Sequence, residues 1–97
     1  YNGQIYPQDH HARKRIDYNY PVKSGINDSE YLELLSGTLP AALEESKPNF
    51  IIYNAGTDIF EEDPLGRMKI SAGGIKQRDE LVFSFAHERN IPILMVL

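Results

Sequence analysis

Four bulky side chains follow one another at residues 50–53, Phe-Ile-Ile-Tyr, with no polar residue between them. A run without alternation is typical of a strand covered on both faces, as in a parallel sheet. Ala55 and Gly56 come next and allow a tight turn at the carboxyl end of this strand. Open α/β sheets bind ligands beyond that end. Asp58, two residues further on, is therefore predicted to lie in a functional site.

A helical pattern precedes this strand and begins after Asp28, which is placed to cap the first turn. Its apolar positions recur at helical spacing and predict one buried stripe: Tyr31, Leu32, Leu35, Leu39 and Leu43. Gly37 and Pro40 interrupt the pattern, and a proline in a helix interior costs about 3 kcal/mol. We therefore expect a break near residues 36–38 and a second helical piece over residues 39–46, in which Pro40 occupies the first turn.

A second helix is predicted from Ser71, as its cap, to about Arg89. The side chains expected to form its buried stripe are Ile75, Val82, Phe85 and Ala86. Arg78 falls nearly within that stripe and Asp79 at its edge, so one or both are expected to bond to a neighbouring element. His87, near the end of the helix, is expected to be exposed rather than to bind metal.

Two further segments have the pattern of strands. Residues 16–22 alternate apolar and polar positions before a turn, and residues 91–97 form an apolar run predicted to be a buried strand. Together with the run at residues 50–53 and the helices between them, they give the order β-α-β-α-β. This order is typical of crossover units on a parallel sheet, and the fold class predicted is α/β.

Composition places the chain among ordinary globular proteins. Its 97 residues suit a single small domain, with 41% hydrophobic and 25% charged residues and a net charge of −4. The acidic balance gives no general attraction for nucleic acid. Cysteine is absent, which excludes disulfides and thiolate zinc ligands. The longest apolar run has seven residues, whereas a membrane span needs about 20. An intracellular location is expected.

Charged clusters outside the predicted elements have ordinary explanations. His10 and His11 belong to a basic cluster that is interpreted as a solvated loop rather than a catalytic pair. Glu61, Glu62 and Asp63 form an acidic loop, which either is simply solvated or attracts a cationic peptide.

Several blocks of the sequence also carry a family resemblance. Residues 53–58, Tyr-Asn-Ala-Gly-Thr-Asp, and residues 63–66, Asp-Pro-Leu-Gly, resemble the AGxD…GDxLG segment of the histone deacetylase superfamily. The likeness continues in Ile-Tyr-Pro at residues 5–7, Asn-Tyr-Pro-Val at 19–22 and Arg-Asp-Glu-Leu-Val-Phe at 78–83. Among the branches of that superfamily, the chain looks most like class IV.

The resemblance implies an arginase-like open α/β fold and a zinc ion held by two aspartates and a histidine. Asp58 matches the later of the two aspartates. Tyr6 and Pro7 match positions along the substrate tunnel, although Tyr6 could equally pack on its own loop. The resemblance places the remaining ligands and the paired histidines before Tyr1, and the tyrosine that stabilises the transition state after Leu97. Residues 1–97 are therefore interpreted as one partial domain with no catalytic residue besides the metal ligand.

Two functions follow as expectations. The first is a segment of a zinc-dependent lysine deacylase that is inactive alone, binds no zinc alone, and acts on acyl-lysine proteins only within the complete enzyme. The second is a non-catalytic α/β module in which Asp58 merely caps neighbouring amides. In both cases, exposed sheet edges are expected to make the isolated chain self-associate.

Overall fold

The computed structural model describes residues 14–57, 59 and 69–97. Across these residues the chain forms four elements: α1 (Asp28–Ser46), β1 (Ile51–Asn54), α2 (Ala72–Glu88) and β2 (Ile93–Val96). The two strands pair in parallel, with Ile51 opposite Ile93 and Asn54 opposite Val96. Helix α2 follows β1 and precedes β2, as parallel pairing requires a long connection. The predicted α/β fold class is confirmed.

Helix α1 begins one residue earlier than the sequence predicted. The side-chain oxygen of Asn27 accepts from the backbone N–H of Glu30 at 3.0 Å, so Asn27 caps the helix. The prediction that Asp28 is the cap is wrong because its carboxylate has other partners. It accepts from the backbone N–H of Ser71 at 2.8 Å and from the Ser71 hydroxyl. Asp28 thus joins the start of α1 to the start of α2.

The predicted break near residues 36–38 is also wrong, since α1 runs without interruption through Pro40. Thr38 caps no second piece, and its hydroxyl donates within the helix to the carbonyl of Leu34 at 2.7 Å. Pro40 leaves the carbonyl of Ser36 without its helical donor, and Ser36 is an exposed residue. Leu43 of α1 is buried, and Tyr31 and Leu34 pack against buried side chains from other parts of the chain. This packing stabilises a single helix.

Helix α2 agrees with its predicted start and end. The Ser71 hydroxyl accepts from the N–H of Gly74 at 3.0 Å, which confirms the cap, and the last helical residue is Glu88. One residue per turn is buried: Gly74, Arg78, Val82 and Ala86. Arg78 therefore lies within the buried stripe and is only 4% exposed.

The predicted strand at residues 16–22 is not formed. Residues 16–21 contain no strand and are exposed, and none of them pairs with another of the residues that the structure describes. Val22, in contrast, is buried in a cluster with Ile59 and Ile70. Side chains of Ile26, Tyr31, Leu34 and Ile75 pack against this cluster. Along the described residues the order is α-β-α-β, and the first strand of the predicted β-α-β-α-β order is missing.

One face of the sheet is covered and the other is open. Tyr53 points towards α2, where its ring meets the ring of Phe83 edge-on at 6.2 Å. On the other face, Ile52 and Leu94 lie opposite each other and are 69% and 52% exposed. The prediction that the run at residues 50–53 is covered on both faces is therefore wrong for this chain. The run at residues 91–97 likewise forms a strand, but not a buried one.

Neither helix in the part of the chain described here combines the length and apolar character needed to cross a bilayer.

Candidate functional site

The carboxyl end of β1 is firmly attached to the rest of the sheet. Ala55 is fully buried, and its N–H donates to the carbonyl of Val96 at 2.7 Å, one position beyond the last paired residues of β1. Gly56 is half-buried and Thr57 is exposed. The chain thus passes from the core to the surface within three residues, at the edge of the sheet where the sequence predicted a site.

The side chain of Arg78 bonds to the backbone at this point. Its Nη1 donates to the carbonyl of Gly56 at 2.7 Å, and its Nη2 donates more weakly to the carbonyl of Ala55 at 3.4 Å. Both carbonyls belong to residues beyond the last residue of β1. A buried cation from α2 therefore anchors the strand end.

The charge of Arg78 is compensated by Asp79. Arg78 Nε donates to Asp79 Oδ1 at 2.9 Å, and the Tyr53 hydroxyl donates to the same oxygen at 2.7 Å. The guanidinium carbon also lies 5.6 Å from the centroid of the Tyr53 ring, within the range of a cation–π contact. The prediction that Arg78 or Asp79 bonds to a neighbouring element is confirmed for both residues.

These contacts favour one protonation state. Burial, followed by the hydrogen bond to Asp79, raises the pKa of the Tyr53 phenol above its ordinary value of 10.0. Burial alone would lower the pKa of Arg78, but its hydrogen bond with Asp79 and the charges around it leave that pKa above its ordinary value. Tyr53 is therefore a neutral donor and Arg78 a cation at physiological pH.

The site residues predicted from the sequence are not among the residues that the structure describes. Asp58, Tyr6 and Pro7 lie outside the described residues, as do His10 and His11. Their predicted roles stay predictions. His87 lies at the end of α2 and is exposed, as expected.

A catalytic zinc ion needs about three protein ligands and an open position. The described residues contain no group of three His, Cys, Asp or Glu side chains placed to hold a metal ion. They therefore do not fit a zinc site by themselves, and Asp58 could contribute one ligand at most.

The sequence did not lead us to expect a role for the Tyr53 hydroxyl, which bonds to Asp79. Tyr53 was interpreted as a bulky member of an apolar run and as part of the family motif. The adjacent Arg78 and Asp79 on the buried side of a helix were a usable signal, because buried charges need partners. A signal for Tyr53 was its hydroxyl, which usually finds a hydrogen-bond partner when buried.

The described residues form an α/β segment. In it, β1 pairs in parallel with β2, and Arg78 holds the carbonyls of the two residues that follow β1. The family described as "Histone deacetylase domain" matches residues 1–97, the full length of the chain. The chain belongs to this family, and the resemblance to the histone deacetylase superfamily is confirmed.

Individual relatives agree with the family match. Histone deacetylase 2 of Arabidopsis thaliana is 51% identical over 96 residues, which are 99% of this chain and 25% of the relative. An uncharacterized protein of Picosynechococcus is 29% identical over 88% of this chain and 28% of its own length. Human histone deacetylase 1 is 30% identical over 80% of this chain and 15% of its own length. The chain thus spans between 15% and 28% of these relatives.

Proposed function

We propose that the chain is a segment of a zinc-dependent lysine deacylase, most similar to class IV of the histone deacetylase superfamily. The observation that supports this most directly is the family match over all 97 residues. In the proposal, Asp58 is one of the zinc ligands, and Tyr6 and Pro7 line the channel for the acyl-lysine side chain. Acyl-lysine peptides or proteins are the partners of the complete enzyme.

The geometry of β1 supports the assignment of Asp58. The strand ends beside β2, the carbonyls of the two residues after it are held by Arg78, and Asp58 follows Gly56 after a single residue. Ligand sites of open α/β sheets lie beyond the carboxyl ends of strands. A rigid strand end is also the kind of support that a metal ligand needs.

The proposal also covers the isolated chain, for which we expect neither tight zinc binding nor activity. One carboxylate does not replace a set of three ligands, so residues 1–97 alone are proposed to bind no zinc tightly and to have no deacylase activity. The net charge of −4 argues against direct nucleic-acid binding. We also propose that the protein is intracellular and does not associate with membranes.

A chimera tests the role of Asp58 directly. In Histone deacetylase 2 of Arabidopsis, this chain would replace the 96 matched residues, and zinc content and acetyl-lysine hydrolysis would be measured. Asp58→Asn should lower turnover by more than about 100-fold and reduce bound zinc, because the neutral amide holds the cation poorly. Asp17→Asn, at an exposed aspartate, should leave both unchanged. An Asp58→Asn chimera that keeps its zinc and its turnover would refute the proposal.

Calorimetric titration of the isolated chain with zinc is the second test. We expect no stoichiometric binding at submicromolar concentration. Tight binding that Asp58→Asn abolishes would show that the segment has a complete site of its own, contrary to the proposal.

A second candidate function is a non-catalytic module that self-associates. It is favoured by the open sheet face, on which Ile52 and Leu94 are more than half exposed. In this alternative, Asp58 has no metal and caps neighbouring amides. Self-association of the isolated chain is compatible with both functions, whereas an active chimera that depends on Asp58 supports only the first.

A further inference from the structure

We propose that Arg78 is a positioning residue that fixes the backbone of Ala55 and Gly56 just after β1, and with it the point from which the chain reaches Asp58. The structural part of this inference concerns Ala55 and Gly56 and stands without any assumption about zinc. Its consequence for chemistry rests on the proposed function of Asp58.

The contacts of Arg78 match the shape of a guanidinium. Its nitrogens point to three acceptors, namely the carbonyls of Gly56 and Ala55 and the carboxylate of Asp79. A planar group with five N–H donors reaches such separated acceptors at once, whereas a lysine ammonium is a compact point charge. The side chain of Arg78 is 5% exposed, so water does not compete freely for these bonds.

The orientation of Arg78 is itself fixed by β1. Tyr53 lies in that strand, two residues before Ala55, and its hydroxyl and the Arg78 Nε bond to the same oxygen of Asp79. The strand therefore orients the carboxylate, the carboxylate orients the guanidinium, and the guanidinium holds the end of the strand. Removing one partner from such a buried charge network leaves the others poorly satisfied.

Because Asp58 is only two residues from Gly56, a restraint on the position of Gly56 also limits where Asp58 can lie. Consecutive Cα atoms are about 3.8 Å apart, so the Cα of residue 58 must lie within about 7.6 Å of that of Gly56. A displacement of about 1 Å in a reacting or ligating group can lower a rate about 100-fold. Any loosening of Gly56 is thus close enough to matter for a ligand at position 58.

Amide hydrogen exchange in the 97-residue chain tests the structural part. The N–H of Ala55 bonds to Val96 at the carboxyl end of the sheet, and the N–H of Ile51 bonds to Pro92 at the other end. Arg78→Met should speed exchange at Ala55 about tenfold or more while changing Ile51 less than about threefold. Arg78→Lys, which keeps the charge, should have an intermediate effect at Ala55.

Arg89→Met is the matched control. Arg89 directly follows the last residue of α2 and likewise bonds a carbonyl and a carboxylate, which here belong to Phe85 and Glu44 rather than to β1 or the residues just after it. It should leave the ratio of exchange at Ala55 and Ile51 unchanged. No change at Ala55 with Arg78→Met, or equal acceleration at both ends of the sheet, would overturn the inference.

The Arabidopsis chimera tests the consequence for chemistry. Arg78→Met should lower kcat at least about tenfold with KM changed less than about threefold, reduce bound zinc, and be partly rescued by Arg78→Lys. If Asp58→Asn abolishes activity but Arg78→Met does not, the positioning role fails and the proposed function stands. If Asp58→Asn is fully active, the proposed function fails, and the exchange result alone decides the role of Arg78.

Discussion

Tyr53 connects the strand and helix that form the candidate site. Its hydroxyl bonds to Asp79, its ring lies near the guanidinium of Arg78, and the ring edge meets Phe83. Three of its neighbours therefore belong to α2 while its backbone belongs to β1. At the scale of single residues, this side chain joins the two elements.

Tyr53→Phe should lower the free energy of unfolding by about 1 to 2 kcal/mol near pH 7, because a hydrogen bond to a carboxylate is lost. The raised pKa of Tyr53 means that folding favours the neutral phenol. This stabilisation is complete below the ordinary tyrosine pKa near 10 and is lost as the pH rises above it.

The difference between the parent chain and Tyr53→Phe should therefore stay constant below about pH 10 and shrink between about pH 10 and 11, as measured by urea unfolding at several pH values. Tyr20→Phe, at a tyrosine that is 44% exposed, provides the control. A difference that stays constant over this range would contradict the role assigned to the phenol.

Gly74 leaves room for the carboxylate that joins the two helices. A Cβ at Gly74 would lie 2.6 Å from Cγ of Asp28, so alanine there would displace Asp28 from Ser71. Gly74→Ala should destabilise the chain by about 1 to 3 kcal/mol in thermal unfolding.

Two other helical glycines serve as controls for this substitution. A Cβ at Gly37 has no neighbour within 4 Å, and one at Gly73 meets only the Ser71 hydroxyl at an ordinary 3.7 Å. Gly37→Ala should stabilise by about 0.5 to 1 kcal/mol and Gly73→Ala should be tolerated. Equal effects at all three positions would show that the contact with Asp28 is unimportant.

At the scale of elements, the continuous α1 reverses the expectation for Pro40. If Pro40 opened a separate helix, Pro40→Ala would be neutral or harmful. In an uninterrupted helix, alanine restores a donor to the Ser36 carbonyl and removes a clash, so a gain of about 1 to 3 kcal/mol is expected. Pro48→Ala, just after the helix, should give no gain. Denaturant unfolding of both variants distinguishes the two interpretations, and a neutral Pro40→Ala would contradict this one.

Short-range sequence patterns predicted where helices and strands form better than they predicted what those elements pair or pack with. Ser71 as a cap and the limits of α2 follow from short-range patterns, as do the two parallel strands. The strand expected at residues 16–22 failed because alternation cannot show whether a pairing partner exists. The break at Pro40 failed because the packing of α1 outweighs a local preference.

The site was predictable only in outline. The edge of the sheet at Ala55 follows from the apolar run and the small residues after it, and Arg78 and Asp79 were identified as a pair with partners. Which carbonyls Arg78 would reach was not predictable, because 22 residues separate it from Gly56 and spacing says nothing about contacts at that distance. Asp58 lies outside the described residues, and its role stays a prediction.

At the scale of the whole molecule, the open sheet face exposes contiguous apolar surface around Ile52 and Leu94. Such surface favours association between copies of the isolated chain. Sedimentation at tens of micromolar should therefore show dimers or larger species, and Ile52→Lys should shift the population towards monomer. Ile16→Lys, at an exposed isoleucine that belongs to neither strand, should not. A compact monomer for the parent chain would contradict this prediction.

The buried cluster of Val22, Ile59 and Ile70 has a consequence for the length of the connection that follows β1. Because Ile59 and Ile70 are held in the same cluster, residues 60–69 join two points that the core already keeps together. The N–H of Lys69 also bonds to the carbonyl of Ile26 at 2.9 Å, which fixes the returning chain. The entropy of closing a flexible connection between two fixed points rises only with the logarithm of its length, about 0.6 kcal/mol for each doubling. Lengthening the chain between Ile59 and Ile70 should therefore cost little stability as long as both side chains stay in the cluster, and the carbonyl of Gly56 would keep its bond to Arg78.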